Sequence, residues 1–400
     1  MGFLADFFSG MGANLALGFS QAVTLDNLFY CFVGVLLGTA IGVLPGLGPI
    51  ATIALLLPIT FKLDPVSALI MLSGIYYGAQ YGGSTTAILI NLPGETSSVV
   101  TAIDGHQMAK KGKAGLALFT SAVGSFFAGT VATFLIVGFA PILASAALKF
   151  SPADYFSLMV MGFVAAVVLA QGSLLKAMAM IVLGLLIAMV GPSESGAPRF
   201  TFDNPQFFDG FDFVALSMGI FGIGEIIRNL EDDTKREAIK SKFFDLIPTK
   251  AELKEMIPPI LRGTTVGSVL GILPGGGAIL GAFAAYSLEK RLSKTPQDFG
   301  KGKLAGVAGP ESANNAGAQV SFIPMLTLGI PSNPVMALML GALIIHRIVP
   351  GPTLVTDRPE LFWGVVSSMW IGNFMLLVLN LPLIGMWVKF LTIPYRLLFP

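Results

Sequence analysis

Long apolar runs alternate with short polar connections along this chain of 400 residues. A helix needs roughly 20 consecutive apolar residues to cross a bilayer core. Leu116–Val137, Leu174–Val190 and Leu361–Leu381 are runs of about this length. The pattern therefore predicts an all-α polytopic membrane protein.

Two of the apolar stretches are interrupted by the same kind of sequence, "VLPGLGP" at 43–49 and "ILPGGGA" at 272–278. Proline beside glycine breaks a helix, and membranes tolerate such a break only where protein or a cavity surrounds it. Seven residues of the first stretch recur 229 positions later, namely Gly38, Gly42, Leu44, Pro45, Gly46, Gly48 and Ile50 as Gly267, Gly271, Leu273, Pro274, Gly275, Gly277 and Ile279. Two unrelated kinks are the alternative. We expect two helical hairpins, 28–60 and 257–288, with the breaks at their tips.

The distribution of basic residues predicts that the hairpins are inserted from opposite faces. Lys and Arg cluster at 106–115, 228–254 and 289–303, and the positive-inside rule places such loops in the cytoplasm. The acidic connection 191–212 is then outside. Hairpin 257–288 lies between two basic loops, whereas the flanks of 28–60 carry almost no basic charge. Matching segments of opposed orientation indicate an inverted repeat with re-entrant hairpins.

A second interrupted element follows each hairpin, at 66–98 and at 304–334. Asn91-Leu92-Pro93-Gly94 in the first matches Gly329-Ile330-Pro331-Ser332 in the second. We expect both to be discontinuous transmembrane helices. The predicted organisation is a first repeat core at 1–114, a four-span scaffold at 115–227, a charged cytoplasmic loop at 228–256, a second repeat core at 257–353 and further scaffold spans at 354–400.

Polar residues and bare glycines at these breaks are the candidate binding residues. Half-helix N-termini offer free N–H groups to anions, and unwound carbonyls can hold Na⁺. Packing of small residues between helices is the alternative. The substrate-binding candidates are Pro45, Gly46, Gly48, Gly83, Ser84, Thr85, Asn91, Pro93, Gly94, Gly275, Gly276, Gly277, Asn314, Asn315, Pro331 and Ser332. Glu95 and Glu311 are candidates for ion coupling, and backbone carbonyls near Asn91 and Gly329 for Na⁺.

Composition narrows the function. Hydrophobic residues make up 54% of the chain and charged residues only 12%, with a mean hydropathy of +0.79; soluble domains carry about twice that charge. Nothing indicates nucleic-acid binding, and the single Cys31 excludes an intrachain disulfide. The glycines at 275–277 lack the Lys-Ser/Thr of a phosphate loop, and no catalytic triad or metal-ligand set is visible. We expect neither an enzyme nor a cofactor. A channel gated at the Pro-Gly breaks and an accessory scaffold remain alternatives to a transporter.

Several motifs are specific in content and order: "GVLPGLGPI", "YYGAQYGGSTTAILINLPGE", "TAIDGHQMAKKGKAG" and "FGKGKLAGVAGPESANNAGAQVSFIPMLTLGIPS". Through them the chain resembles the large membrane subunit of the tripartite tricarboxylate transporters over essentially its whole length. The resemblance implies a multi-pass protein of the bacterial inner membrane that imports citrate-like di- and tricarboxylates with Na⁺ or H⁺. We expect it to work as an elevator in which the two hairpins and the broken helices move as a unit. It also implies two partners, a small four-span membrane subunit and a periplasmic solute-binding protein.

The chain departs from the resemblance at two points. Relatives usually continue with further spans, so we expect the natural chain to extend beyond Pro400. They also commonly carry glycine where this chain has Ser332, a difference that changes the expected pocket and its specificity.

Overall fold

The structure is a computed structural model that describes residues 2–44, 48–169, 173–193, 197–224, 227, 247–273 and 277–391. Four of the candidate binding residues, Pro45, Gly46, Gly275 and Gly276, lie outside the described residues, as do positions 228–246 of the expected charged loop.

The described chain is helical, apart from one two-residue antiparallel pair, β1 Gly191–Pro192 with β2 Pro198–Arg199. The first part contains α1 Gly2–Ala22, α2 Leu25–Val43, α3 Gly48–Thr60, α4 Pro65–Ile90, a 3₁₀ turn at Thr96–Ser98 and α5 Val99–Lys110. The middle contains α6 Ala114–Ala147, α7 Pro152–Leu169, α8 Leu174–Ala188 and α9 Phe213–Ser217, which continues as a π-helix over Met218–Ile223. The last part contains α10 Lys250–Gly271, α11 Gly277–Leu292, α12 Ala305–Val320, α13 Phe322–Leu328, α14 Pro334–Ile345, α15 Leu354–Asp357, α16 Pro359–Asn380 and α17 Ile384–Leu391.

The prediction of a helical membrane protein is confirmed by several long apolar helices. By length and hydropathy, α2, α6 and α16 can each cross a membrane. Helix α6 has 34 residues, which at 1.5 Å per residue is about 50 Å. On α7 and α8 large apolar side chains point outward, with Phe156 69% and Leu175 76% exposed, as suits helices that face lipid.

Local sequence sets the helix starts. Asp64 accepts a hydrogen bond from the Val66 N–H at 2.9 Å, and Pro65 occupies the first turn of α4, where its missing N–H costs nothing. Helix α10 starts with a capping box in which Thr249 and Glu252 bond reciprocally. That box explains why α10 begins at Lys250, seven residues before the expected hairpin start.

The first discontinuity follows α4, at the Asn91-Leu92-Pro93-Gly94 sequence that indicated it. Helix α4 runs unbroken through Gly83, Ser84 and Thr85 and ends only at Ile90. Its small residues are packed against other backbone segments, so they do not interrupt the helix. The break itself is confined to 91–95.

Glycines let two helix pairs touch backbone to backbone. On α2 a Cβ at Gly34, Gly38 or Gly42 would lie 2.3, 2.3 or 2.5 Å from a carbonyl oxygen of α4, belonging to Met71, Ile75 and Ala79 respectively. On α10 a Cβ at Gly263 or Gly267 would lie 2.1 Å from the carbonyl oxygens of Gly309 and Ala313 on α12, and one at Gly271 would lie 2.5 Å from the Gly317 Cα. We call these the α2–α4 seam and the α10–α12 seam.

Helix α12 lies at the centre of the molecule, and each of its residues is buried. It packs against α4, α5, α6, α10 and α11. Because it contains two asparagines, a glutamate and a glutamine, its neighbours must supply polar partners.

Candidate functional site

A carboxylate on α12 is surrounded by hydroxyl groups from three other helices. Glu311 is 0% exposed. Ser84 Oγ of α4 lies 2.8 Å from both carboxylate oxygens, and Ser121 Oγ of α6 lies 2.8 Å from Oε2. Thr101 of α5 donates to Oε1, and Ser125 of α6 lies 3.5 Å from Oε2. We call these five residues the Glu311 cluster.

Within the part of the chain that the structure describes, Glu311 forms no ion pair. Among the described residues the ion pairs are Lys113–Glu252, Arg262–Glu289 and Lys303–Glu255. The amide of Asn315 completes the surroundings, because its Nδ2 donates to Ser125 Oγ at 2.6 Å and to the Glu311 carbonyl at 3.2 Å. Hydroxyl groups are thus the hydrogen-bond partners that the described residues supply to the Glu311 carboxylate.

A second polar group forms where the chain breaks after α4. Glu95 caps the 3₁₀ turn by accepting from the Ser97 N–H at 3.1 Å, and the Ser97 hydroxyl also donates to it. Asn314 Nδ2 reaches the same carboxylate at 3.3 Å. Ser97 Oγ lies 2.6 Å from Asn314 Oδ1 and 3.0 Å from Gln80 Oε1. Adjacent residues of α12 therefore connect this Glu95 cluster with the Glu311 cluster.

The two predicted breaks have the same backbone form. Helix α4 ends at Asn91 with φ +59°, and α13 ends at Gly329 with φ +69°. Four residues further on, Glu95 and Asn333 each cap the next helical segment. After α13 the Gly329 N–H donates to the Met325 carbonyl at 3.2 Å, which is the bond of the αL capping motif, and the Ile330 N–H donates to the Pro324 carbonyl at 3.2 Å.

Glycines at the first break allow backbone segments to meet. A Cβ at Gly94 would lie 1.8 Å from the Gly42 carbonyl oxygen, and one at Gly83 would lie 2.8 Å from Glu95 Cγ. The Asn91 side chain, in contrast, is exposed, and Pro93 is half-buried. The first break thus lies against the C-terminal end of α2.

The second break lies close to the beginning of α11. A Cβ at Gly277 would lie 3.5 Å from Asn333 Nδ2, which is itself 3.4 Å from Tyr76 Oη. Ser332 is buried, and its hydroxyl has no hydrogen-bond partner within the part of the chain that is described. Pro331 is half-buried beside it.

Gly48 and Thr85 lie apart from these contacts. Gly48 begins α3 at φ +50°, and nothing lies within 4 Å of the position of its Cβ. Thr85 lines a small cavity together with Tyr81, Leu118, Ser121, Ala122, Asn380 and Ile384.

One buried carboxylate was missed by the sequence reasoning. Asp104 of α5 is 0% exposed and accepts N–H bonds from Gly300 at 3.0 Å and from Gly302 and Lys303 at 2.7 Å. Tyr286 Oη donates to it at 2.9 Å. The available signal was the pair of glycines in "FGKGK", which adopt φ +81° and +94° here. Residues 299–303, the Asp104 loop, thereby join α5 to the connection between α11 and α12.

Other contributors were also missed, namely Gln80, Ser97, Thr101, Ser121 and Ser125. For the last two a signal existed, because residues four apart share one face of a helix.

Three basic segments meet at one end of the molecule. Lys111 Nζ donates to the Lys301 carbonyl. Lys113 pairs with Glu252 at 3.5 Å, and Lys303 pairs with Glu255 at 3.1 Å. The chain after α5, the start of α10 and the start of α12 are therefore neighbours.

Comparison with known proteins decides the family. A family model described as tripartite tricarboxylate transporter TctA family matches residues 28–400. The chain belongs to the TctA family. A protein of Agrobacterium vitis described as "Uncharacterized 52.8 kDa protein in TAR-I ttuC' 3'region" is 60% identical over 389 residues, which cover 97% of this chain and 78% of that protein. A second from the same organism, "Uncharacterized protein in TAR-II ttuC' 3'region", is 67% identical over 134 residues, or 34% of this chain and 55% of that protein. No solved structure matches the chain at a significant level.

This TctA-family chain is a multi-pass membrane subunit of a tricarboxylate transporter and not an enzyme. A tripartite system implies two further components, of the TctB and TctC type. Among the described residues no group of three or more His, Cys, Asp or Glu side chains could hold a metal ion.

Proposed function

We propose that this TctA-family chain is the substrate-translocating subunit of a binding-protein-dependent secondary transporter in a bacterial inner membrane. It imports di- and tricarboxylates together with Na⁺ or H⁺. The observation that carries the proposal is that the chain has two helix breaks of the same form, the first of which contacts polar residues of the buried helix α12. Breaks of this kind line the substrate sites of secondary transporters.

Spacing along the two seams supports an inverted repeat. The seam glycines of α2 and α10 are 229 residues apart in each of the three pairs, and their contact residues on α4 and α12 are 238 residues apart. Asn91 and Gly329, which end the broken helices, are also 238 residues apart. Because two separate helix pairs keep constant spacings and the same packing, chance kinks are a poor explanation.

Contacts between the halves support a reciprocal arrangement. Helix α3, the second leg of the first hairpin, packs against α14, which follows the second break. Helix α11, the second leg of the second hairpin, packs against the 3₁₀ turn Thr96–Ser98, which follows the first break. Each hairpin thus lies beside the break of the other half, as a pseudo-twofold axis in the membrane plane requires.

We assign the end of the molecule where basic segments meet around Lys113 and Lys303 to the cytoplasm, because cytoplasmic loops carry an excess of Lys and Arg. The hairpin of α10 and α11 then enters from the cytoplasm, and that of α2 and α3 from outside. Hairpins and broken helices form the moving unit of an elevator, since the seams join them without intervening side chains. Helices α6–α9, α16 and α17 belong to the scaffold.

Substrate carboxylates are bound at the breaks, by backbone N–H groups and by hydroxyl and amide groups rather than by Lys or Arg. Ser332 offers a buried hydroxyl beside the second break, and Asn314 offers an amide beside the first. The partners are a periplasmic solute-binding protein that delivers the organic acid and a small four-span membrane subunit.

Transport in proteoliposomes tests the proposal. The chain is reconstituted with its small subunit, and labelled citrate is supplied on the binding protein under a Na⁺ or a proton gradient. Saturable uptake is expected only with all three components and a gradient. Uptake by this chain alone without a gradient, or channel currents without saturable uptake, would contradict it. Ser332→Ala should raise the KM several-fold, since one hydrogen bond is lost, whereas Ser157→Ala, exposed on α7, should not change it.

Cysteine labelling tests the opposed hairpins. Cys31 is the single cysteine of the chain, so its replacement provides a background without thiols. Leu47→Cys and Gly276→Cys should then react with a membrane-impermeant reagent from opposite sides. Reaction of both from one side would exclude the inverted topology.

A further inference from the structure

We propose that the Glu311 cluster is a Na⁺ site, and that the ion bound there is the coupling cation of transport. The second part of this inference rests on the function proposed above, whereas the first part does not. Burial of the Glu311 carboxylate and the oxygen atoms around it support the Na⁺ site, and the connection of these atoms to the first break supports the coupling role.

As a buried carboxyl group, Glu311 must either take up a proton or bind a counter-ion. The side chain is 0% exposed and lies on the central helix of a membrane protein. A buried, ionised carboxylate without an opposite charge is expensive, and hydrogen bonds offset only part of that energy. Arg262, in the middle of α10, and Lys303, just before α12, are already paired with Glu289 and Glu255. A small bound cation would neutralise Glu311 directly.

The atoms around Glu311 are the ligands that a hard cation takes. Its two carboxylate oxygens and the hydroxyl oxygens of Ser84, Thr101, Ser121 and Ser125 make six oxygens in one place. Hard cations prefer oxygen ligands, and a carboxylate with neutral oxygens provides a single negative charge. That charge matches one monovalent ion.

The Ser84 hydroxyl can turn from the carboxylate to a cation and still donate a hydrogen bond. A serine or threonine hydroxyl in a helix can donate to the carbonyl four residues earlier. Ser84 already lies 3.0 Å from the Gln80 carbonyl oxygen. When the proton points to that carbonyl, the lone pairs of the hydroxyl oxygen are available to the ion.

Six converging oxygens favour Na⁺ over a proton. A protonated carboxyl group needs a single acceptor for its proton, so one hydroxyl would satisfy it. The ligands also come from four different helices, α4, α5, α6 and α12. An ion that binds all of them therefore holds the first half, the second half and the long helix α6 in one arrangement.

Neighbouring residues of α12 connect this site to the first break. Asn315 bonds Ser125 of the Glu311 cluster at 2.6 Å, while the preceding Asn314 bonds Glu95 at 3.3 Å. Occupation by Na⁺ can thus change the geometry of the break where substrate is proposed to bind. Na⁺ binding and substrate binding are thereby coupled through Asn314 and Asn315, one short segment of the buried helix α12.

Thermal unfolding of the purified chain measures the site without any substrate. A ligand that binds only the folded state raises stability as its concentration rises above Kd. At fixed ionic strength and pH, the unfolding midpoint should rise with NaCl and not with choline chloride. Glu311→Gln should abolish the response. Ser121→Ala and Thr101→Val, which each remove one oxygen ligand, should weaken the apparent Na⁺ affinity about 10–100-fold.

Thr133→Val is the matched control. Thr133 is a buried residue of α6, the helix that carries Ser121, and its hydroxyl accepts a hydrogen bond from Gln319 at 3.0 Å outside the cluster. The Na⁺ response of the Thr133→Val variant should therefore equal that of the unmodified chain. If Glu311→Gln does not fold, the serine and threonine variants decide alone. The proposed site is overturned if the unmodified chain shows no Na⁺ response, or if the cluster variants respond as strongly as the unmodified chain. It is also overturned if the unfolding midpoint changes with pH but not with Na⁺.

Uptake measured in parallel distinguishes the existence of the Na⁺ site from its role in coupling transport to Na⁺. A Na⁺ response that is lost in the cluster variants, without carboxylate uptake by the complete three-component system, leaves the site standing and refutes the transport function. Gradient-driven uptake that is unchanged in Ser121→Ala refutes the coupling role instead.

Discussion

Asp104→Asn is the substitution whose effect the structure defines most closely. The carboxylate accepts three backbone N–H bonds from the Asp104 loop, at 2.7–3.0 Å, and is fully buried. Asparagine keeps the shape and one acceptor oxygen, so Gly302 and Lys303 can still be bonded. The negative charge that strengthens these bonds is lost, and the new amide N–H₂ faces the side on which Tyr286 donates.

The expected loss follows from the bonds themselves. A hydrogen bond to a charged group contributes about 1.5–3 kcal/mol, and a neutral one about 0.5–1.5 kcal/mol. Each of the three N–H bonds therefore loses about 1 kcal/mol, or about 3 kcal/mol for the loop. Since 1.4 kcal/mol is a factor of ten in an equilibrium, local opening of the loop should become about a hundredfold more frequent.

Hydrogen exchange measured by mass spectrometry reads this opening directly. Peptides that contain Gly300, Gly302 and Lys303 should exchange about a hundredfold faster in Asp104→Asn, while peptides from α6 should not change. Asp298→Asn is the control, because this residue ends the 3₁₀ turn Pro296–Asp298 and bonds the described loop through its backbone carbonyl, which the substitution keeps. Unchanged exchange at 300–303 in Asp104→Asn would refute the assignment of these bonds as charge-assisted supports of the loop.

Two further substitutions test the packing and the buried ion pair. Gly267→Ala should prevent folding or sharply lower the yield of monodisperse protein, because its Cβ would lie 2.1 Å from the Ala313 carbonyl oxygen. Gly184→Ala on α8 is the control and should behave like the unmodified chain, because no described atom lies within 4 Å of its Cβ position. Arg262→Met should destabilise the protein by about 3 kcal/mol, since it leaves Glu289, 3% exposed, without its bidentate partner. Adding Glu289→Gln should restore most of the midpoint in thermal unfolding, and failure of this rescue would contradict the role of the pair.

Backbone breaks were the part of the site that the sequence could indicate. Proline and glycine carry their conformational preference locally, so the matches around Asn91 and Gly329 pointed to two helix ends, and both lie there in the left-handed region. The sequence could not show why α4 continues unbroken through Gly83. Glycine weakens an isolated helix, but here Gly83 packs against the break at Gly94, and such a tertiary contact leaves no local signal.

Hydroxyl partners could not be predicted in the same way. Ser84, Thr101 and Ser121 lie in apolar helices, where serine and threonine usually bond their own backbone. Their convergence on Glu311 depends on the packing of four helices whose contacts span 190–227 residues. Glu311 itself was recognisable, because a charged residue inside an apolar segment is functional by default.

The contacts of Asp104 also affect the order in which parts of the protein can assemble during synthesis. The amides that hold its carboxylate are 196 residues further along the chain at Gly300. At about 5–20 residues per second, the ribosome makes them roughly 10–40 s after Asp104 itself. During that interval α5 carries an unsatisfied negative charge, and this charge favours a place at the membrane surface over one inside it. Helix α5 can pack against α4 and α6 earlier, but the Asp104 carboxylate obtains its amide partners only after residues 300–303 have been made.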